Sequence, residues 1–302
     1  MQPKDFRGVF AILVTPFDEQ GAIDQASLRR CVNFCIDGGA RGIVTPVNAS
    51  EATTLTDEER IQVASIVVEE AGGRVPVVIG VSGTSTEHAV YLAKKATQVG
   101  ADALIAMPPY VRKGQPTDDE IFMYYRSIAT MAKLPVIVQD YVPPIGTPLP
   151  NHLLLRLFQE IDEVQYLKEE TALAGQKMTA LLKANVPIQG IMGGAAGRHL
   201  LDEYRRGAVG TMPACEIIDL HAQLWDLLEA GKMEAARDFY MQLLPLLNIE
   251  SQYSFAVYKE VLRRRGIIAT TFSRMPGAPR LDRYDHLELD AILSRLKPLF
   301  RL

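Results

Sequence analysis

The stretch VPVVIGVSGTSTEHAVYLAKKATQVGADALIAMP, residues 75–108, decides the fold. It begins and ends with short, nearly continuous apolar runs, the pattern of strands that are buried on both faces. Between them, residues 85–88 (Ser-Thr-Glu-His) are a helix start, and Gly100 is a left-handed helix stop. The stretch therefore predicts a strand, a helix and a second strand parallel to the first.

The same unit repeats along the chain, with strand-like runs roughly every 20–35 residues and helical patterns between them. Further helix starts stand at Asp24, Thr56 and Thr117. Eight such alternations close most economically into an α/β fold, the parallel (β/α)8 or TIM barrel. The predicted strands are residues 8–16, 42–47, 75–81, 103–108, 135–140, 164–169, 188–193 and 208–212.

The strand pattern stops near Cys215, and a C-terminal helical extension follows. No low-complexity linker separates the two parts. We predict a barrel core at residues 1–214, and barrel-completing and C-terminal helices of the same domain at residues 215–302. The predicted helical stretches lie near residues 215–230, 233–249, 251–265 and 284–298, with an extended loop at 273–280.

Composition narrows the class of protein. The chain has 302 residues, 48% of them hydrophobic, and a formal charge of −4, so we expect no nucleic-acid and no membrane partner. There is no signal-peptide pattern and no apolar run long enough to span a membrane, which predicts a cytoplasmic protein. Three cysteines make no disulfide framework, and five histidines lack the spacing of metal ligands. We expect no metal site.

Polar or reactive residues stand where the predicted strands end. The active site of this barrel lies at the carboxyl ends of its strands, so these residues are expected to converge on one mouth. The candidates are Thr15 after the first strand, Asn48, Ala49, Ser50 and Glu51 after the second, Tyr110 after the fourth, Gln139 on the fifth, Lys168 on the sixth and Gly193 on the seventh.

Lys168 is the most informative of them, in the run EVQYLKEET of residues 163–171. Burial favours the neutral amine of a lysine, which is a nucleophile for carbonyl groups. The resulting imine is an electron sink, so a proton or carbon group leaves readily from the adjacent carbon. The alternative is a surface lysine paired with Glu169 or Glu170, but the convergence of strand ends favours the nucleophile.

A 2-keto acid also needs a site for its carboxylate. The turn at residues 48–51 offers backbone N–H groups, the Asn48 amide and the Ser50 hydroxyl at a strand-to-helix junction. The alternative is an ordinary loop that leads to the next helix. Tyr110 is a candidate for proton transfer or a packing residue, and Gly193 either admits a ligand close to the backbone or forms a plain turn.

The chain resembles the superfamily of dihydrodipicolinate synthase and N-acetylneuraminate lyase along nearly its whole length. Thr15-Pro16-Phe17 looks like its first-strand motif, and residues 168–171 (Lys-Glu-Glu-Thr) look like its lysine motif. The resemblance implies an imine between Lys168 and pyruvate or another 2-keto acid, with no cofactor besides this covalent bond. It also implies carboxylate binding at the residue 47–51 turn, a role for Tyr110, and a homotetramer built from dimers.

Three departures from the synthase pattern bear on the substrate. Gln139 stands where the synthase has a catalytic tyrosine, although a small shift of alignment offers Asp140 or Tyr141. Residues 142–146 lack the arginine that grips the second substrate, and Ala49 interrupts the threonine proton relay. An uncharged loop gives little reason to bind aspartate semialdehyde.

Other segments look like 2-keto-3-deoxy-L-arabonate dehydratase and its relatives. These are residues 48–51, 107–110, 138–140, 146–149, 244–248 and 266–269. We therefore predict a Schiff-base lyase that dehydrates a 2-keto-3-deoxy sugar acid. The alternatives are a pyruvate-dependent aldolase, dihydrodipicolinate synthase itself, or an inactive barrel that binds keto acids. The sequence leaves open the sugar acid, its stereochemistry and the choice between dehydratase and aldolase.

Overall fold

The computed structural model describes residues 6–109, 116–142, 146–147 and 149–302. Within these ranges, eight parallel strands form a closed barrel in sequence order, which confirms the predicted (β/α)8 fold. The barrel closes where Gly8 of the first strand pairs with Gly210 of the last. The strands are β1 Gly8–Ile12, β2 Gly42–Thr45, β3 Val77–Gly80, β4 Ala103–Ala106, β5 Val136–Asp140, β6 Val164–Glu169, β7 Gly190–Gly193 and β8 Gly210–Thr211.

Helices follow the strands, and four more complete the chain after β8. Predicted caps form where the sequence places them: the Thr56 and Thr117 hydroxyls accept from the backbone N–H groups of Glu59 and Glu120 in reciprocal capping boxes. The helices are α1 Gln25–Asp37, α2 Asp57–Ala71, α3 Thr86–Val99, α4 Asp118–Ala132, α5 Asn151–Glu160, α6 Ala174–Lys183, α7 Leu200–Arg205, α8 Ile218–Glu229, α9 Met233–Tyr253, α10 Phe255–Arg264 and α11 Arg283–Leu296.

Some predicted bounds are wrong at the strand ends. The first strand ends at Ile12 and not at residue 16. Beyond it, the Thr15 side chain bonds the Ser50 carbonyl, and Pro16 has no N–H with which to continue a ladder. The last strand keeps only two residues, Gly210 and Thr211. The helices predicted at 233–249 and 251–265 are separated at Ser254 and not at residue 250. As a result, α9 extends to Tyr253 and α10 begins at Phe255.

Alternation along each strand separates two apolar layers. Val9 and Ala11 of β1 belong to the large core between strands and helices, to which Leu220 of α8 and Leu243 of α9 also belong. Phe10 belongs to a second, smaller core, with members from β2, β3, β4, β5 and β7, which fills the barrel interior. The same alternation decides which polar side chains reach the mouth. No helix in the described ranges is both long enough and apolar enough to cross a membrane.

Candidate active site

A cavity of about 300 Å³ opens at the carboxyl ends of the strands. Its walls come from the loops after β2 and β7, from the ends of β5 and β6, and from the junction of α9 and α10. Among the side chains that line it are Asn48, Gln139, Lys168, Glu170, Arg198 and Glu250. This is the mouth at which barrels of this kind hold their active sites.

Strand alternation places Lys168 in this cavity. On β6, Tyr166 packs against the barrel interior and Leu167 against the outer core, so the next inward position is Lys168. Its side chain is 3% exposed, and its Nζ lies 2.9 Å from Glu170 Oε2. The lysine is thus a buried amine at the cavity, with an acid beside it.

The Glu170 carboxylate, which the sequence argument treated only as an ion-pair partner, is at the centre of the site. Besides Lys168, it accepts from Gln139 Nε2 at 2.8 Å and from the Ala195 backbone N–H at 3.0 Å. A Cβ added at Gly194 would collide with this carboxylate, so the chain needs a glycine there. Three donors from three elements fix the acid against the lysine.

Gln139 lies at the cavity, and its neighbour on β5 does not. Gln139 is 2% exposed and pairs in register with Lys168. Asp140 faces outward, where it binds Lys177 and accepts from the Leu149 N–H at 2.9 Å. Of the alternatives at the end of this strand, Tyr141 also lines the cavity, and burial, aided by the Glu170 charge, raises the pKa of its hydroxyl. Tyr110 lies outside the described residues.

In the turn after β2, only the first two candidate residues line the cavity, Asn48 and Ala49. The fully buried Ser50 donates from Oγ to the Leu13 carbonyl at 2.6 Å and accepts from the Val47 N–H at 3.1 Å. Thr15, also fully buried, donates from Oγ1 to the Ser50 carbonyl at 2.6 Å. The sequence predicts that both hydroxyls face a substrate, but in the structure they hydrogen-bond to the backbone and stabilise the turn.

Glu51 also points away from the cavity. It adopts a left-handed conformation (φ 55°), and its carboxylate binds the buried Lys259 amine. It further accepts from Ser273 Oγ at 2.7 Å and from the Arg274 N–H at 2.9 Å. The expected substrate contact is therefore corrected to a positioning role, in which Glu51 ties the turn to α10 and the C-terminal loop.

This buried ion pair gives a testable consequence. Lys259→Met leaves the Glu51 carboxylate without its cation, and an uncompensated buried charge costs about 3–5 kcal/mol. We expect the free energy of unfolding, measured with urea, to fall by that amount. The matched control is Lys133→Met, whose 70% exposed side chain pairs with Glu163 and is expected to contribute under about 1 kcal/mol. Equal losses in the two variants would contradict the positioning role.

Gly193 is a further correction. It occupies the outward register on β7, next to the inward Met192, and an added Cβ there would meet the Glu203 carboxylate. Burial, with the Glu170 charge next in effect, raises the pKa of Glu203 to about 8. The missing side chain at Gly193 thus leaves room for the Glu203 carboxylate behind the strand. The missing side chain at Gly194 leaves room for the Glu170 carboxylate at the cavity.

Sequence reasoning missed Arg198 and Glu250. Arg198 lies in the loop that follows β7, just beyond the strand end at Gly193, and its Nε donates to the Ala195 carbonyl at 3.1 Å. Glu250 lies on α9, more than eighty residues after the lysine. The one sequence signal for Arg198 is its positive charge in the loop after β7. No local pattern marks Glu250. In the described part of the chain, no group of three or more His, Cys, Asp or Glu is placed to hold a metal ion.

A buried lysine held against a carboxylate at the mouth of a (β/α)8 barrel defines a class of site suited to imine formation. Comparison with known proteins agrees with this class: the dihydrodipicolinate synthetase family matches residues 5–296. The chain belongs to that family, whose members are lysine Schiff-base lyases.

Individual relatives carry two different names. The L-2-keto-3-deoxyarabonate dehydratase of Azospirillum brasilense is 34% identical over 97% of this chain and 95% of its own. A 4-hydroxy-tetrahydrodipicolinate synthase from Chloroherpeton thalassium is 29% identical over 98% and 97%. The crystal structure of dihydrodipicolinate synthase from Rhodopseudomonas palustris matches with a TM-score of 0.89 and 28% identity, over 98% of this chain and 99% of that one.

Proposed function

We propose that the protein dehydrates a 2-keto-3-deoxy sugar acid through an imine at Lys168. The observation that carries the proposal is the 2.9 Å pair of Lys168 and Glu170 at the cavity. The similarity to a dehydratase of such an acid supports the choice of reaction. No separate cofactor is part of the proposal, because the imine itself is the electron sink.

The first step forms the imine. The Lys168 amine adds to the C2 keto carbon, and the C2 oxygen then leaves as water. Both the addition and the loss of water need protons moved at the nitrogen and the oxygen. Glu170 is an acid–base group within hydrogen-bond reach of the amine, so we assign these transfers to its carboxylate.

The second step eliminates water from the sugar chain. The protonated imine acidifies the C3 protons, and removal of one gives an enamine. The enamine electrons return toward C3–C4 as the C4 hydroxyl leaves, protonated, as water. Tyr141 and Glu170 line the cavity and are the candidates for these transfers, whereas Gln139 has no proton to exchange and acts by orienting Glu170. Hydrolysis of the imine then restores the lysine.

The substrate carboxylate is assigned to the turn after β2. Asn48 and Ala49 face the cavity there, while Thr15 and Ser50 hold the turn rigid from behind. A rigid turn favours binding because less conformational freedom is lost when the ligand arrives. We therefore expect Ser50→Ala to act by loosening the turn and not by removing a direct contact with the substrate.

Dihydrodipicolinate synthase is the second candidate, and one observation favours it. Residues 142–146 supply no cation for a second carboxylate among those described, yet Arg198 brings a guanidinium to the cavity from another loop. A guanidinium is well suited to a carboxylate. The lack of an arginine at residues 142–146 therefore does not by itself exclude a second carboxylate from the cavity.

A panel of substrates separates the candidates. Purified enzyme is offered several 2-keto-3-deoxy acids, and separately pyruvate with aspartate semialdehyde, with products assigned by NMR and kcat/KM compared. We expect a dehydrated keto acid from a 2-keto-3-deoxy pentonate as the fastest reaction. Pyruvate plus an aldehyde as products would indicate an aldolase, and a faster synthase reaction would overturn the proposal. Binding without turnover would indicate an inactive barrel.

The assembly and location are also proposed from the resemblance. We expect a homotetramer built from two dimers, in the cytoplasm, with the 2-keto acid as the small-molecule partner. Light scattering after size-exclusion chromatography measures the mass of the assembly, and a stable monomer at working concentration would contradict the tetramer.

A further inference from the structure

The turn that follows β7 has an unusual backbone. Its three successive residues Ala195, Ala196 and Gly197 are left-handed, with φ of 50°, 56° and 74°. Glycine adopts this conformation freely, whereas a side chain brings its Cβ too close to the carbonyl oxygen that follows. Two successive alanines are therefore strained here, and such a backbone persists only where the surrounding contacts hold it.

One end of this turn acts on the active site. The Ala195 N–H donates to Glu170 Oε1 at 3.0 Å. The other oxygen of that carboxylate lies 2.9 Å from the Lys168 amine. Unlike a side-chain donor, this N–H is directed by backbone dihedral angles alone, so a change of conformation in the turn would move it off the carboxylate. The orientation of Glu170 beside the lysine consequently depends on the turn.

The far end of the turn is held by His221, which lies on α8. The imidazole is 1% exposed, and its Nε2 lies 3.1 Å from the Ala196 carbonyl oxygen. A carbonyl oxygen can only accept a hydrogen bond, so Nε2 is the nitrogen that carries the proton. Burial lowers the pKa of His221 to about 4, so the ring is neutral at pH 7 and has this one N–H to donate.

Packing alone does not explain a histidine at this position. Its Nδ1 is buried and has no hydrogen-bond partner in the part of the chain that the structure describes. A buried polar atom without a partner costs free energy, and a leucine or methionine would fill the same space without that cost. The bond to the Ala196 carbonyl is the contribution that distinguishes the imidazole from an apolar side chain.

Further contacts keep the imidazole and the turn together. A Cβ added at Gly197 would lie 3.2 Å from Cδ2 and Nε2 of His221, so the ring packs closely against the last residue of the turn. Tyr240 of α9 donates from its hydroxyl to the Arg198 carbonyl, immediately after the turn. Among the described residues that line the cavity, His221 is absent, so its influence on the chemistry passes through the turn.

We infer that His221 is a positioning residue that acts on Glu170 through this turn. Its Nε2–H fixes the Ala196 carbonyl, and the turn then keeps the left-handed conformation in which the Ala195 N–H points at the carboxylate. The inference rests on the proposed function, because Glu170 is the group to which the proton transfers at the Lys168 nitrogen are assigned.

The first test removes the bond and then restores it. His221→Leu fills the space but has no N–H to donate. Loss of one hydrogen bond to a charged group corresponds to about 10- to 100-fold in rate. We expect kcat, and the rate of imine formation with pyruvate followed by timed borohydride trapping, to fall by that factor, with KM changed by less than about threefold. His221→Gln, whose amide N–H has a similar reach, is expected to recover most of the lost rate.

Leu228→Ala separates positioning from a general loss of stability. Leu228 is a buried residue about two turns further along α8, and its truncation leaves a cavity in the core. We expect a lower urea midpoint of unfolding but, at a temperature where the variant is folded, the wild-type kcat and trapping rate. If His221→Leu does not fold, His221→Asn takes its place, because the shorter amide does not reach the Ala196 carbonyl.

A double-mutant comparison shows whether His221 acts through Glu170. In a Glu170→Gln background, His221→Leu is expected to change the trapping rate by less than about threefold, because the group that the turn positions is already gone. A wild-type rate for His221→Leu, an equal fall in both backgrounds, or a His221→Gln enzyme as slow as His221→Leu would each overturn the inference and leave the proposed function standing. Failure of the wild-type enzyme to form a borohydride-reducible adduct with pyruvate would overturn the proposed function and the inference with it.

Discussion

Lys168→Ala is expected to lose turnover of every 2-keto acid by about a thousandfold or more, because the covalent electron sink is lost with the lysine amine. The measurement is kcat at saturating substrate for the reaction that the wild type performs. Lys168→Arg is a useful companion, since it keeps a cation beside Glu170 but has no amine that forms an imine. It should be as inactive as the alanine variant.

The matched control is Lys94→Ala, which removes an exposed lysine from α3 and should keep full activity. If Lys168→Arg retained substantial activity, the lysine would be acting through its charge alone. The covalent mechanism would then be wrong, whatever the reaction proves to be.

Glu170→Gln is expected to lower kcat by about a hundredfold to ten-thousandfold, the range for removal of a general acid–base group. The amide keeps the shape of the side chain but cannot take or return a proton at the Lys168 nitrogen. It also replaces an acceptor of three donors by a group with only one acceptor oxygen. We expect the rate of imine formation with pyruvate, followed by borohydride trapping, to fall with kcat.

Glu163→Gln is the control, because this acid lies at the other end of the same strand and pairs with Lys133 far from the cavity. A Glu170→Gln enzyme with unaltered trapping and unaltered kcat would remove the acid from the chemistry. A rise in KM with an unaltered kcat would indicate a role in substrate binding.

The fold was predictable because its signal is periodic. Eight strand-like runs separated by helix starts leave few alternatives to a barrel, and the order of the strands follows from the sequence. Strand ends were predicted less well. Residues 8–16 look strand-like throughout, yet the strand ends at Ile12, and Thr15 bonds the Ser50 carbonyl through its side chain.

The candidate site was predictable in location and only partly in its residues. Strand alternation correctly implies that Lys168 and Gln139 face inward, since Tyr166 and Ile137 do. A turn is different, because local sequence indicates where the chain bends but not where each side chain points. Thus Ser50 and Glu51 looked like ligands for an anion, while the structure turns one to the Leu13 carbonyl and the other to Lys259.

What the sequence left out depends on long-range contacts. Glu170 was visible two residues after the lysine, but its role depends on Gln139 from β5 and on the Ala195 N–H from the loop after β7. Arg198 and Glu250 meet at the cavity from separate elements. No periodicity or motif in one segment encodes such a meeting, because the barrel closure and the helical extension create it.

Borohydride trapping with a 2-keto-3-deoxy pentonate tests the central claim most directly. The enzyme is reduced during turnover, digested, and the modified peptide is sequenced by mass spectrometry. Dehydration through Lys168 predicts an adduct on that lysine that retains the five-carbon chain, intact or less one water. An adduct on another lysine, or none with any 2-keto acid, would contradict the imine at Lys168, and a three-carbon adduct there would show carbon–carbon cleavage in place of dehydration.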